Sequence, residues 1–125
     1  MRAPKYLMVF ILFALTSVSS HSQNLKLMTY NIRLDVDLDG ENSWSNRKDY
    51  FTSQIRFYEP DILGFQEARP NQVIDISNSL SQYNCIGIGR EGKGKGESSN
   101  IFFKKDRFEL LQENTFWLSE TPTQI

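Results

Sequence analysis

Two short apolar runs flank a stretch of helical periodicity, and that arrangement most narrows what this chain can fold into. Leu25 to Ile32 (LKLMTYNI) is rich in apolar and β-forming residues and reads as a buried first strand; Asp61 to Gln66 (DILGFQ) is a shorter apolar run following Pro60, as expected of a strand covered on both faces. Between them, Arg47 to Tyr58 places Phe51, Ile55 and Tyr58 on one helical face, with Ser45 or Asn46 as N-cap and Pro60 as stop. A second helix is expected after Pro70, with Val73, Ile74, Ser77 and Leu80 facing inward, and three further strands over Tyr83–Ile88, Asn100–Lys104 and Phe108–Trp117, the first two joined by a loop over Gly89–Ser99. The order βαβαβββ implies an α/β layered fold.

Residues 1–22 stand outside that pattern. Arg2 and Lys5 precede the apolar run Leu7–Leu15, and small residues from Thr16 to Ser22 follow, which are the three parts of a secretory signal peptide with cleavage before Gln23 or after Ser20. The run is shorter than the roughly 20 residues that span a bilayer, so no stable membrane anchor is expected. Export to the periplasm or the extracellular space follows from this reading, leaving 23–125 as the folded part. Cleavage removes Arg2, Lys5 and His21, the only histidine, and leaves 12 basic against 15 acidic side chains.

Composition sets the remaining bounds. With 125 residues, 39% hydrophobic and 13% aromatic, the chain has material for one globular domain at most. Its net charge of -1 provides no global field for nucleic acid or anionic membrane, so phosphate recognition has to be local. The lone Cys85 forms no internal disulfide and, with no base to make its thiolate, reads as a strand residue.

Three patterns carry chemistry. Asp35-Val36-Asp37-Leu38-Asp39-Gly40 fits the first half of a calcium loop, but Asn46 stands where the closing bidentate Glu belongs. Gly87-Ile88-Gly89-Arg90-Glu91-Gly92 and the run from Gly89 to Lys95 approach nucleotide-loop patterns without the helix N-terminus such loops need, so a Lys-bearing hairpin loop is the alternative. Asn31 and Glu67 each end a short apolar strand, where open α/β sheets place ligands. A carboxamide and a carboxylate side by side suit a hard cation such as Mg²⁺, and Arg33 and Arg69 each follow two residues later, placed to neutralise phosphate.

The segments Met28–Arg33 (MTYNIR), Asp61–Arg69 (DILGFQEAR) and Gly96–Phe103 (GESSNIFF), together with Asn42–Lys48 and Phe116–Pro122, resemble the endonuclease/exonuclease/phosphatase superfamily, in a secreted bacterial branch. The resemblance implies the N-terminal half of a four-layer α/β/β/α sandwich, as in deoxyribonuclease I and exonuclease III. It implies that Glu67 and Asn31 hold a divalent cation (Mg²⁺, or else Mn²⁺ or Ca²⁺), that Arg69 and Arg33 contact substrate phosphate, and that Glu97 orients a catalytic histidine. The reaction implied is in-line attack of water on a phosphoric ester: nucleic acid, a phospholipid headgroup, or a sugar or inositol phosphate. No protein partner is implied. The G-D-x-N and S-D-H segments and the histidine of the family's second half are absent, so these 125 residues alone are expected to be inactive or poorly soluble. The alternative is a non-catalytic secreted binding module or gene remnant, with calcium at Asp35–Asp39.

Overall fold

A computed structural model of the chain describes residues 24–92 and 94–124. The leader read in residues 1–22 lies outside them. Strand β1 spans Leu27–Asn31, a short 3-10 helix Asp37–Asn42, helix α1 Trp44–Tyr58, strand β2 Ile62–Gln66, helix α2 Pro70–Ser79, strand β3 Tyr83–Ile86 and strand β4 Ile101–Lys104. They form one four-stranded sheet in the order β1-β2-β4-β3. β1 and β2 are parallel, as a strand–helix–strand unit requires, and β4 is antiparallel to both β2 and β3.

Both helices lie on one face of the sheet. Phe51 of α1 sits at the centre of that layer, its ring centroid 5.0 Å from Tyr30, 5.8 Å from Trp44 and 5.3 Å from Phe65. Phe65 in turn meets Phe102 at 5.0 Å, so an aromatic chain runs from α1 through β2 into β4. Ile55, Leu63, Ile76 and Leu80 complete the core with no exposure to solvent. Truncating a buried aromatic of this kind costs about 3–5 kcal/mol.

The structure corrects the sequence reading in several places. β1 is an edge strand rather than a buried one, and its burial alternates, with Leu27 68% exposed on the face away from the helices. β2 likewise buries Leu63 and Phe65 towards the helices while Ile62, Gly64 and Gln66 stay partly open. α1 begins at Trp44, earlier than expected, because the Ser43 carbonyl accepts from both Asn46 and Arg47 N–H, leaving Ser45 and Asn46 inside the first turn. Along α2 and its C-cap, Val73 packs against the core and Leu80 is buried as expected, but Gln72 and Ile76 are the fully buried residues of the helix and Ile74 is 60% exposed. β3 stops at Ile86, since Gly87 adopts φ 117°. No strand forms over Phe108–Trp117, an extended, mostly exposed segment without a ladder partner.

Candidate active site

The parallel register aligns Asn31 with Gln66, so the last residue of β1 lies beside the end of β2 and next to Glu67. Asn31 Nδ2 donates to Glu67 Oε1 at 2.7 Å, and Asn31 Oδ1 accepts from the Arg33 N–H at 2.9 Å. The Leu34 N–H makes a longer contact, 3.4 Å, with Glu67 Oε2. Two residues near the strand ends adopt left-handed backbone, Arg33 at φ 58° and Glu67 at φ 62°. Each such residue costs on the order of 1–3 kcal/mol and persists only where its surroundings over-determine it.

The surroundings here are a set of side chains tied to the backbone. Gln72, fully buried, accepts from the Arg69 and Asp35 N–H groups on Oε1 at 3.0 and 3.1 Å and donates from Nε2 to the Arg33 carbonyl at 3.0 Å. Arg47 donates to the Ile32, Arg33 and Asn42 carbonyls. Beyond β2, Ala68 and Ser98 exchange two backbone hydrogen bonds, fixing the Glu67 turn against the loop before β4. The sequence reading missed Gln72 and Arg47. Gln72 carries a legible signal, a Gln three residues after the N-cap with Pro at the first helical position; Arg47, an ordinary basic residue in a first turn, carries none.

The expected site residues fall into two groups. Asn31 and Glu67 are in contact, and Glu67 and Glu97 line one cleft of about 390 Å³ that continues to Trp117. Arg69 and Glu97 share a smaller neighbouring cleft of about 240 Å³ with Arg90. Arg90 Nη2 lies 3.4 Å from Glu97 Oε1. Arg33 is paired with Asp39: its guanidinium makes two hydrogen bonds to that carboxylate, at 3.0 and 2.6 Å, and holds the Asp39 carboxyl below its ordinary pKa. Asp35 accepts from Asn71, so Asp35 and Asp39 of the calcium-loop pattern face different partners.

Among the described residues no three His, Cys, Asp or Glu side chains gather into a metal cage. The donor set at the strand ends nevertheless suits a hard cation. No lysine or arginine among the described residues forms an ion pair with Glu67, and its carboxylate keeps acceptor capacity beyond the bond from Asn31. One carboxylate with water and substrate oxygens filling the remaining positions is a common Mg²⁺ arrangement.

The model of the endonuclease/exonuclease/phosphatase family matches residues 28–115, which contain Asn31, Arg33, Glu67, Arg69 and Glu97. The chain belongs to that family. An endonuclease/exonuclease/phosphatase from Bacteroides vulgatus superposes with a TM-score of 0.79 at 42% identity, covering 81% of this chain and 39% of that one. A mannosyl-6-phosphatase from Bacteroides thetaiotaomicron gives 0.77 at 36% identity, covering 80% and 39%. A 2′,3′-cyclic phosphatase gives 0.63 at 28% identity, covering 77% and 32%. The chain therefore spans about two-fifths of the length of the two Bacteroides structures, and its α/β sheet corresponds to a half domain. Among the described residues no helix is long and apolar enough to cross a membrane.

Proposed function

We propose that this protein is an exported, divalent-cation-dependent hydrolase of phosphoric esters, and that these residues carry the cation-holding half of its active site. The observation that carries the reading is the 2.7 Å contact between Asn31 and Glu67 at the ends of adjacent parallel strands, in a chain whose family relatives include two phosphatases. Export rests on the leader pattern of residues 1–22.

Glu67 and Asn31 would hold the cation, Mg²⁺ first and Mn²⁺ or Ca²⁺ as substitutes, which when bound polarises the phosphoryl group and stabilises charge developing on its oxygens. Asn31 fixes the Glu67 carboxylate through its amide and keeps Oδ1 aimed by the Arg33 N–H. Arg69 supplies positive charge at the neighbouring cleft, whereas Arg33, engaged by Asp39, acts on the loop rather than on phosphate. Glu97, half-buried and bordering both clefts, is placed to orient an imidazole contributed from elsewhere in the family domain. A sugar phosphate is the narrower substrate reading, supported by the mannosyl-6-phosphatase relative.

The test uses the protein of the complete reading frame, assayed with p-nitrophenyl phosphate and bis(p-nitrophenyl) phosphate. Hydrolysis with Mg²⁺ that is lost on chelation and in Glu67→Ala supports the reading; hydrolysis indifferent to both rejects it.

A further inference from the structure

One guanidinium stands behind both Asn31 and Glu67. Arg47, in the first turn of α1, donates from Nη1 to the Ile32 carbonyl at 2.7 Å and from Nη2 to the Arg33 carbonyl at 3.2 Å. Those oxygens belong to consecutive peptide units, Ile32–Arg33 and Arg33–Leu34. At the other end of the first unit, the Arg33 N–H donates to Asn31 Oδ1 at 2.9 Å; at the other end of the second, the Leu34 N–H faces Glu67 Oε2 at 3.4 Å. Arg33, between the two units, is left-handed at φ 58°, a conformation in which successive N–H groups turn towards acceptors on one side. The fork itself is held in place. Arg47 Nε donates to the Asn42 carbonyl, and the guanidinium lies 5.6 Å from the centroid of the Trp44 ring, which is buried with its Nε1–H on Asp75.

We infer that Arg47 is a positioning residue for cation binding: its hydrogen bonds go to backbone carbonyls and not to Asn31 or Glu67, yet through two peptide units it sets the N–H groups that aim both side chains. The inference rests on the cation reading above and names a residue on which that site depends. A positive charge at a carbonyl oxygen polarises the peptide and strengthens donation from its N–H. Each N–H takes one lone pair of its acceptor, which leaves a second on Asn31 Oδ1 and several on the Glu67 carboxylate for a cation. Gln72 also donates to the Arg33 carbonyl, at 3.0 Å, so Asn31, held through the Ile32 carbonyl, depends on Arg47 more than Glu67 does. The sign of the effect separates this role from charge alone. A positive charge near the site repels a divalent cation, so its removal by itself tightens binding, whereas loss of the fork that aims the two side chains weakens it.

The test titrates Mn²⁺ into the protein of the complete reading frame without substrate, reading free Mn²⁺ by electron paramagnetic resonance and the fold by thermal unfolding. Arg47→Met removes the fork and the charge while keeping an apolar stem against Trp44; Arg47→Lys removes the fork and keeps the charge. In folded Arg47→Met the Kd for Mn²⁺ is expected to rise about tenfold or more, with Arg47→Lys between it and wild type. In the cation-free Arg47→Met chain the Arg33 amide proton is expected to move upfield, and that of Leu34 by less. A Kd in folded Arg47→Met that is unchanged or lower, even beside a reduced Tm, overturns the positioning role and leaves the cation reading standing. Where Arg47→Met does not fold, Arg47→Lys decides: weaker binding than wild type supports the role and equal binding overturns it. A wild-type chain that binds no Mn²⁺, or binds it equally well as Glu67→Gln, overturns the cation reading and this inference with it.

Discussion

Asn31 and Glu67 lie 36 positions apart in sequence, and the amide of one donates to the carboxylate of the other at 2.7 Å. They meet because β1 and β2 are parallel neighbours in the register Asn31↔Gln66, and the chain turns left-handed immediately after β2. The site is therefore a property of the sheet, and its backbone geometry carries a cost in stability.

That cost is measurable at Glu67. Glycine adopts φ 62° without the Cβ penalty that other residues incur there. Glu67→Gly is expected to be more stable than Glu67→Ala by about 1–2 kcal/mol in urea unfolding. Equal stability of the two variants would show that the left-handed turn is unstrained.

Gln72 supports the same turn from beneath. Replacing it by Ala leaves the Arg69 and Asp35 N–H groups and the Arg33 carbonyl without their shared partner. A loss of about 2–3 kcal/mol is expected, with amide resonances of Arg33, Asp35 and Arg69 shifting together. A loss below about 0.5 kcal/mol, the range of a neutral surface substitution, would contradict that role.

How far the sequence could reach is visible in these residues. Periodicity located both helices and four strands, and the strand-end rule picked out Asn31 and Glu67, because each is a local pattern. Phe108–Trp117 failed as a strand because its apolar residues follow strand chemistry while no neighbouring strand pairs with them. Within the described residues β1 and β2 are covered on the helix face alone, and an apolar run does not reveal whether one face or two are covered. Arg33 was placed on phosphate by proximity to Asn31, but Asp39, only six residues on, takes its guanidinium. Such a pairing depends on the path of the loop, which composition does not specify.

At the opposite end of the sheet, Asp61 is buried and accepts from the Lys26 N–H at 2.9 Å, from Lys104 Nζ at 3.0 Å and from Arg107 Nη1. The Lys26 hydrogen bond, then those from Arg107 and Lys104, hold its carboxyl well below the usual range. A depressed carboxylate stabilises the fold above its unfolded pKa, about 3.9, and loses that contribution as pH falls below it. Asp61→Asn is expected to lower Tm at neutral pH, with the gap to wild type narrowing as pH drops below about 4. A gap independent of pH would place the effect in packing instead of charge.

Cys85, packed against the core, has its thiol pushed up to about 11 by burial. At pH 8 its alkylation by iodoacetamide should run roughly a hundredfold or more slower than that of an unperturbed thiol, and urea should restore the ordinary rate. Rapid labelling of the folded chain would show that the strand pair β3–β4 opens readily.

The central claim is that Glu67 and Asn31 hold a divalent cation, and Mn²⁺ titration followed by NMR tests it most directly. Paramagnetic broadening centred on the amides of Asn31–Leu34 and Gln66–Ala68, abolished in Glu67→Gln and competed by Mg²⁺, is the expected result. Broadening centred on Asp35–Asp39, or unchanged in Glu67→Gln, would contradict it.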